Sequence, residues 1–285
     1  MTSRSPYFIE GPAVIQFSGG RTSGFMLRQI LDAHGGTLPA DVQVSFQNTG
    51  KEREETLAFI EECSQRWAVP ITWLEWDGFE NGSRSRCLYR VVDFHSASRK
   101  GEPFAAMIDA LGLLPNPVAR TCTANLKIKT SRAWMLAHGY SEWDSVMGIR
   151  ADEPRRVARL NAPGRDNSAG TPYLPLARAG VRKADVLAFW RAQPFDLRLD
   201  PRGDLGNCDL CFLKSRLKLV SAIRREPARH IWWARQEDRP IGATFRSDRP
   251  RYTELAREAE FHARQGTLPN VETEDDALVD CMCGD

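Results

Sequence analysis

Long apolar runs are missing from this sequence, and so is any strong excess of one charge. A membrane-spanning helix needs about 20 consecutive apolar residues, so no membrane partner is expected. The opening stretch, Met1-Thr-Ser-Arg-Ser-Pro-Tyr-Phe-Ile-Glu10, has none of the apolar character of a secretion signal. The cytoplasm is therefore the expected location. Formal charge is +2, from 39 Lys and Arg against 37 Asp and Glu. That balance argues against a protein that coats itself in nucleic acid through bulk charge, although arginines gather locally at 84–99, 150–159 and 216–229. Histidine is scarce: five residues, in no metal-ligating pattern. His34, His138 and His230 sit in or beside expected helices and read as structural, which leaves His95 as the histidine with a candidate site role. Cysteine is odd in number, at seven. Without a secretion signal, an odd count argues against a disulfide scaffold and for metal, cluster or redox use of the grouped cysteines.

What is present is enough apolar material, 42% of 285 residues, for a real core in one domain or one domain with an appendage. Residues 13–17 form a short apolar run ending in a Ser-Gly-Gly turn, read as a buried strand, a loop and a helix over about 24–34. A second strand at 42–46 ends in turn chemistry at 47–50. Residues 54–67 place Leu57, Ile60 and Cys63 at helical spacing, with acids at the start where the helix dipole favours them. Cys63, on that apolar face, reads as an inert core thiol. A third strand follows at 71–76. This alternation predicts an α/β fold: a parallel twisted sheet with helices on both faces, Rossmann-like, whose ligands sit beyond the carboxyl ends of the strands. Residues 78–101, rich in Gly, Ser and Arg, break the rhythm and read as an insertion or a flap over the site. A helix is expected over 124–140, a strand at 144–147 and a polar loop at 158–171. Beyond them come a helix at 181–191, a Pro/Gly/Asp-rich connection at 194–207, a basic helical run to about 225, and helices near 225–237 and 251–265. An acidic tail follows. The expected division is a nucleotide-binding α/β domain over 1–180 and a helical, cysteine-bearing region over 181–285. Trp232 and Trp233 read as core packing before base stacking.

The loop Ser18-Gly19-Gly20-Arg21-Thr22-Ser23 lacks both Gly-x-x-x-x-Gly-Lys-Ser/Thr and Gly-x-Gly-x-x-Gly. Its physics is nonetheless that of a phosphate grip. Gly19 and Gly20 let the backbone turn so that its N–H groups point inward. Ser18 and Ser23 add hydroxyls, a helix beginning near Thr22 brings its positive end, and Arg21 could add charge. Ser-Gly-Gly-x-x-Ser after a first strand resembles the loop of the adenine nucleotide alpha-hydrolases, or PP-loop ATP pyrophosphatases. More narrowly the chain is similar to the phosphoadenylyl-sulfate (PAPS) reductase family. Asn48-Thr49-Gly50 with Glu55-Thr56 resembles that family's Asp-Thr-Gly…Glu-Thr segment. Residues 148–153, Gly-Ile-Arg-Ala-Asp-Glu, with Arg155 and Arg156 resemble its Gly-Val/Leu-Arg…Arg segment. Tyr173-Leu-Pro-Leu176 followed by a helix resembles its Pro-Leu…Trp segment. The likeness spans about 12–220. Asn48 departs from the usual Asp and Pro154 from the usual Ser. The loop keeps the ATP type, and the chain ends Cys281-Met-Cys283-Gly-Asp285 where sulfonucleotide reductases carry a Glu-Cys-Gly-Ile/Leu-His tail. The resemblance thus implies ATP-dependent activation more than PAPS reduction. Ser18, Gly19, Gly20, Arg21, Thr22, Ser23, Asn48, Thr49, Gly50, Lys127, Gly148, Arg150, Arg155 and Arg156 are the expected nucleotide contacts.

Cys208-Asp-Leu-Cys211 on its own could be a redox pair, a zinc half-site or a cluster half-site. Cluster-bearing adenylyl-sulfate reductases have a Cys-Cys pair followed some eighty residues later by Cys-x-x-Cys. Here Cys122 precedes Cys208 by 86 residues, with Thr121 in the first position of the pair. Lys127 and Lys129 follow Cys122, and Lys214 and Arg216 follow Cys211. The resemblance implies a [4Fe–4S] cluster on Cys122, Cys208 and Cys211, with Cys283, Cys281 or Cys87 as the fourth ligand, or an open iron. Zinc is the alternative.

Arginine forks suit phosphate oxygens, so Arg150, Arg155 and Arg156 are the expected clamps, with Asp152 and Glu153 orienting them or holding Mg²⁺. The favoured reading is ATP-dependent, adenylylating sulfur transfer. ATP with Mg²⁺ activates an acceptor oxygen, and a sulfur nucleophile from the cluster or from a persulfide on Cys281 or Cys283 displaces AMP, with Arg150 steadying charge. The acceptor could be tRNA, DNA or a small molecule, and a homodimer is allowed for. Two alternatives stand beside it: a PAPS or adenylyl-sulfate reductase, and a cluster- or zinc-stabilised nucleic-acid-binding or defence-complex subunit.

Overall fold

The computed structural model describes residues 4–199 and 205–266. In chain order the elements are β1 (Ala13–Gln16), α1 (Arg21–Ala33), β2 (Val42–Asn48), α2 (Glu54–Trp67), β3 (Thr72–Phe79), β4 (Cys87–Val92) and α3 (Glu102–Leu111). A π-helical segment, Cys122–Lys129, runs into α4 (Thr130–Ala137). Then come β5 (Asp144–Met147), α5 (Pro154–Leu160), β6 (Thr171–Tyr173), α6 (Pro175–Arg178), α7 (Lys183–Arg191), α8 (Arg216–Arg225), α9 (His230–Glu237) and α10 (Tyr252–Arg264). No helix among the described residues is long and apolar enough to cross a membrane.

The sheet has six strands in the order β4-β3-β2-β1-β5-β6, and all but β4 run parallel. Strand β1 is central because both its faces are apolar: Ala13, Val14 and Ile15 are wholly buried. It pairs Ala13 with Val42 on one side and with Asp144 on the other. Side chains alternate across a strand, so Ile15 and Val146 join the core under α1, α2 and α7, while Val14 packs with Leu74, Trp134 and Met135 on the α4 face. The chain moves outward from β1 to β3, then returns to place β5 on the other flank of β1. The point where that order reverses, between the carboxyl ends of β1 and β5, is where such folds bind ligands.

Three expectations change. Residues 78–101 are no flap over the site: β3 runs on to Phe79, and β4 pairs antiparallel with it as an edge strand. The cross-strand pair Glu75–Arg90, an ion pair with a wholly buried carboxylate, holds that register. Residues 181–199 do not group with the C-terminal helices. Val181, Val186, Trp190, Phe195, Leu197 and Leu199 enter the main core, and Trp190 Nε1 donates to the Arg21 carbonyl at 2.7 Å. Residues 158–171 are a loop only in part, since α5 runs to Leu160 and β6 starts at Thr171. Helices α8, α9 and α10 build a second core with α3 and Trp76 around the wholly buried Trp233 and Phe245. Trp233 is thus core, as expected, and Trp232 stands edge-on to Phe104.

Arg21 carries the largest surprise. Its guanidinium is buried and grips Asp196 through Nε and Nη2, both at 2.8 Å. It also donates to the carbonyls of Leu197 and Leu199. It therefore straps the start of α1 to the 195–199 connection through Nε and Nη2. Charged hydrogen bonds of this kind contribute about 1.5–3 kcal/mol each, and the half-exposed Asp196 recovers some solvation when its partner goes. Arg21→Ala is expected to lower unfolding free energy by about 2–3 kcal/mol in urea titration; an unchanged midpoint would show that the strap bears no load.

Candidate nucleotide and thiol site

The loop after β1 is shaped by one required glycine. Gly19 has φ +79°, and a Cβ there would stand 2.6 Å from Thr56 Cγ2. Gly20 is extended and precedes α1, whose N-terminus receives no side-chain cap. The unpaired amides of a helix's first turn favour an anion there. Ser18 Oγ donates to Ser23 Oγ at 3.0 Å, and Ser23 Oγ donates to the Gly20 carbonyl at 2.9 Å, closing the loop on itself.

A cleft opens over this loop at the reversal point. Ser18, Ser23, Lys127, Gly148 and Arg156 line it, together with Gln16, Phe46, Gln47 and Met147, and no carboxylate does. Lys127 arrives from the π-helical segment and Arg156 from α5. The wider turn of a π-helix often marks a functional position. Arg150 does not line the cleft but braces it: Nη1 donates to Thr22 Oγ1 at 3.1 Å and Nε to Asp152 at 2.9 Å. Glu153 pairs with Arg156 and accepts the Arg150 amide at 3.0 Å. Asp152 also accepts the Lys183 amide at 2.9 Å. Burial pushes the Asp152 carboxyl up, but the Lys183 amide and Arg150 outweigh it and hold the group below the usual carboxylate range. Both acids therefore orient the arginines. Arg155 is exposed on α5 and outside the cleft.

The 48–53 segment continues the chain from Phe46 and Gln47, which line the cleft. Asn48 is wholly buried; Nδ2 donates to Glu75 at 2.6 Å and to the Ser98 carbonyl at 2.9 Å, and Oδ1 accepts the Gly50 amide at 3.2 Å. These bonds occupy its amide within the fold, so it shapes the loop from behind. Thr49, through its amide and hydroxyl, donates to Glu52. Gly50, also at positive φ, lies against the Gly101 backbone. Glu52 was not expected from its spacing. It is buried, faces Lys127 Nζ at 4.0 Å, and its backbone pairs antiparallel with Cys208.

That pairing stitches the Cys-x-x-Cys turn to the loop. The Arg53 amide donates to the Asn207 carbonyl at 2.9 Å and the Asp209 amide to the Lys51 carbonyl at 2.8 Å. Asn207 Nδ2 donates to the Ser18 carbonyl at 3.2 Å, while its buried Oδ1 has no partner among the described residues. Below the turn, Asp209 pairs with Lys51 at 3.2 Å, accepts Trp233 Nε1 at 3.0 Å and meets Arg229 at 3.4 Å.

Cys208 and Cys211 are in hydrogen-bonding contact. That bond, burial and the carboxylates of Glu52 and Asp209 push the Cys208 thiol well above its ordinary range. Cys122 packs against the same core as the pair. Soft thiolates suit iron or zinc, but among the described residues no three Cys, His, Asp or Glu side chains come together as a metal-ligand group. Cys281 and Cys283 lie outside the described residues. Cys87 is buried and accepts Trp76 Nε1 at 3.2 Å, and burial raises its thiol above the ordinary range despite that donor. Cys63 is wholly buried and inert, as expected. His95 is exposed beside Phe94 and remote from the cleft lining. His34 accepts the Ile9 amide at 3.1 Å.

A protein of Escherichia phage lambda, described as the uncharacterized nin region protein ORF290, is 32% identical to this chain over 219 residues. The match covers 75% of this chain and 70% of the phage protein. The chain belongs to the family of that phage protein. No protein-family profile matches it. A share of that size takes in most of a fold whose two halves, cleft and thiol turn, are joined by the backbone pairing of Glu52 with Cys208.

Removing one partner of a buried ion pair typically costs about 3–5 kcal/mol, and Asp209 would keep Trp233 and Arg229. Lys51→Met is therefore expected near the low end, about 3 kcal/mol by urea denaturation, with faster alkylation of Cys208 and Cys211 as the turn loosens. Unchanged stability together with unchanged thiol reactivity would show that the two segments hold together without this pair.

Proposed function

We propose that the chain is an adenine-nucleotide enzyme of the PP-loop, PAPS-reductase-like type that uses ATP to activate an acceptor for sulfur transfer. The observation that carries the reading is the uncapped start of α1 at a cleft that presents Lys127 and Arg156 and no carboxylate. Such a place suits the phosphates of a nucleotide, with backbone amides, a lysine and an arginine fork sharing their charge. Arg150, locked to Thr22 and Asp152, acts as a positioning residue that ties the β5 turn to the loop.

In the reaction, an oxygen of the acceptor attacks the α-phosphorus and pyrophosphate leaves with the electron pair of the broken P–O bond. The acceptor's carbon then carries adenylate as its leaving group, and a sulfide-level nucleophile replaces it, releasing AMP and one proton. Donors fixed before the reaction stabilise the charge that develops on phosphorus. Mg²⁺ bound with ATP would supply further positive charge at the pyrophosphate. Because Asp152 and Glu153 are paired with arginines, the nucleotide's own oxygens and water would hold most of its coordination sphere.

Cys208 and Cys211, with Cys122 on the same core, are the thiols this reading assigns to sulfur chemistry, as ligands of a [4Fe–4S] cluster or of zinc. A cluster would supply electrons or an iron site for sulfide; no step above depends on it. The thiol–thiol contact also favours a second reading, sulfonucleotide reduction: one thiol takes the sulfonyl group as the S–O bond to the nucleotide's phosphate breaks and the adenosine phosphate leaves, and the second thiol then closes a disulfide that expels sulfite, with two protons released.

Two measurements separate these readings. Arg156→Gln is expected to weaken ATP binding about tenfold, a loss of about 1.4 kcal/mol, and to slow pyrophosphate release with the fold intact. ATP binding unaffected by that change would remove Arg156 from the site, and sulfite formation without ATP would replace the first reading by the second. Anaerobic purification with iron, sulfide and zinc analysis is expected to find metal that Cys122→Ser loses; a metal-free wild type would leave a plain dithiol.

A further inference from the structure

Beside the cleft lies a larger cavity of about 510 Å³. It sits on the α4 face of the sheet, the face from which Gln16 Nε2 reaches Ser131 Oγ at 3.0 Å. Gln16 and Met147 belong to both linings, so the two spaces share a wall. The π-helical segment serves both as well, giving Lys127 to the cleft and Thr123 and Ile128 to the cavity. Three arginines line the cavity: Arg120 from the approach to that segment, Arg159 from the end of α5, and Arg165 from the loop that follows. Its lining contains no carboxylate. Arg165 is held below the ordinary arginine range by partial burial and then by Arg159, with Asp166 offsetting part of the effect, so these two like charges stand near one another. An anion between them would relieve that repulsion. The remaining walls are largely apolar, with Leu160, Ile128 and Val118; Val118 is 95% exposed at the rim. Small-molecule sites of about 300–1,000 Å³ combine apolar walls with a few convergent polar groups in this way.

We propose that this cavity is a second anion subsite, separate from the nucleotide cleft, and that it receives a phosphate-bearing acceptor. The phosphate lies among Arg120, Arg159 and Arg165, and a base or sugar rests on the apolar walls. The shared wall at Gln16 and Met147 brings the acceptor's reacting oxygen toward the loop at 18–23. The word acceptor rests on the function proposed above; the binding of phosphate esters does not.

The phosphate comes either from a single small ester or from a polynucleotide strand, and one experiment distinguishes them. Binding of a short fluorescein-labelled single-stranded oligonucleotide, as RNA and as DNA, is followed by anisotropy. Binding of uridine 5′-monophosphate is followed by calorimetry. Both are measured on the full chain and on Arg159→Gln/Arg165→Gln, whose side chains are exposed and whose fold is checked by thermal melting. The double variant is expected to lose at least about tenfold in affinity for whichever ligand binds. If that ligand is the strand, the slope of log affinity against log salt falls by about 0.7, one single-strand phosphate contact. ATP affinity, measured alongside, is expected to be unchanged in the variant. Wild-type affinity carried over intact to the variant, or no binding of either ligand by the wild type, overturns the proposal. Phosphate-ester binding lost in the variant, in a protein that never binds ATP, overturns the proposed enzyme and leaves the anion subsite standing.

Discussion

The first turn of α1 must stand with its amides open at the end of β1, and much of the surrounding structure exists to keep it there. An uncapped helix start is tolerable at a surface because water can serve its N–H groups. Held in a cleft, it needs support from every side. Arg21 straps the turn to Asp196 and to two carbonyls of the 195–199 connection. Trp190 reaches the Arg21 carbonyl from α7. Arg150 ties Thr22 to the turn after β5, and Asn207 holds the Ser18 carbonyl. Thr56 and Ile60 of α2 close in on Gly19 so tightly that no side chain fits there. The loop is thus fixed by parts of the chain that lie far apart in sequence, which is what preorganisation of an anion site requires.

The same logic explains why the Cys-x-x-Cys turn belongs with the cleft rather than with a separate module. Its backbone completes a short antiparallel pairing with the 51–53 segment. The buried Lys51–Asp209 pair anchors that join to the second core, where Trp233 supplies a further donor. Glu52 lies between the cleft and the Cys-x-x-Cys turn, with Thr49 and Lys127 on one side and Cys208 on the other.

Much of the fold was legible because apolar runs of strand length alternate with helical periodicity from residue 13 to 76, and the reversal point follows from that alternation. The loop at 18–23 was legible as a strand-to-helix turn for the same reason. The roles of individual polar residues were harder to read. Arg21 follows the glycines as a phosphate ligand would, yet its partner Asp196 is 175 residues away. Asn48 sits in a familiar place in the motif, but its amide is taken by Glu75, its register partner on β3, and by the carbonyl of Ser98, which follows the strand that the β3–β4 pairing adds to the edge. That pairing was missed because Gly and Ser dominate the turn before β4 and mask a short strand of Leu, Tyr and Val. Glu52 gave no signal because only the fold brings Lys127 and Cys208 to it. A buried charge whose partner is distant in sequence cannot be told from a surface charge by spacing alone.

The account stands on anion binding by the amides at the start of α1. Backbone amide NMR of the 32.1 kDa chain during titration with ATP tests it directly. The largest shifts are expected at Gly19, Gly20, Thr22 and Ser23, followed by Gly148, with the amides around Trp233 unmoved. Saturating ATP that leaves the 19–23 amides in place, or moves only residues remote from the cleft, would contradict it.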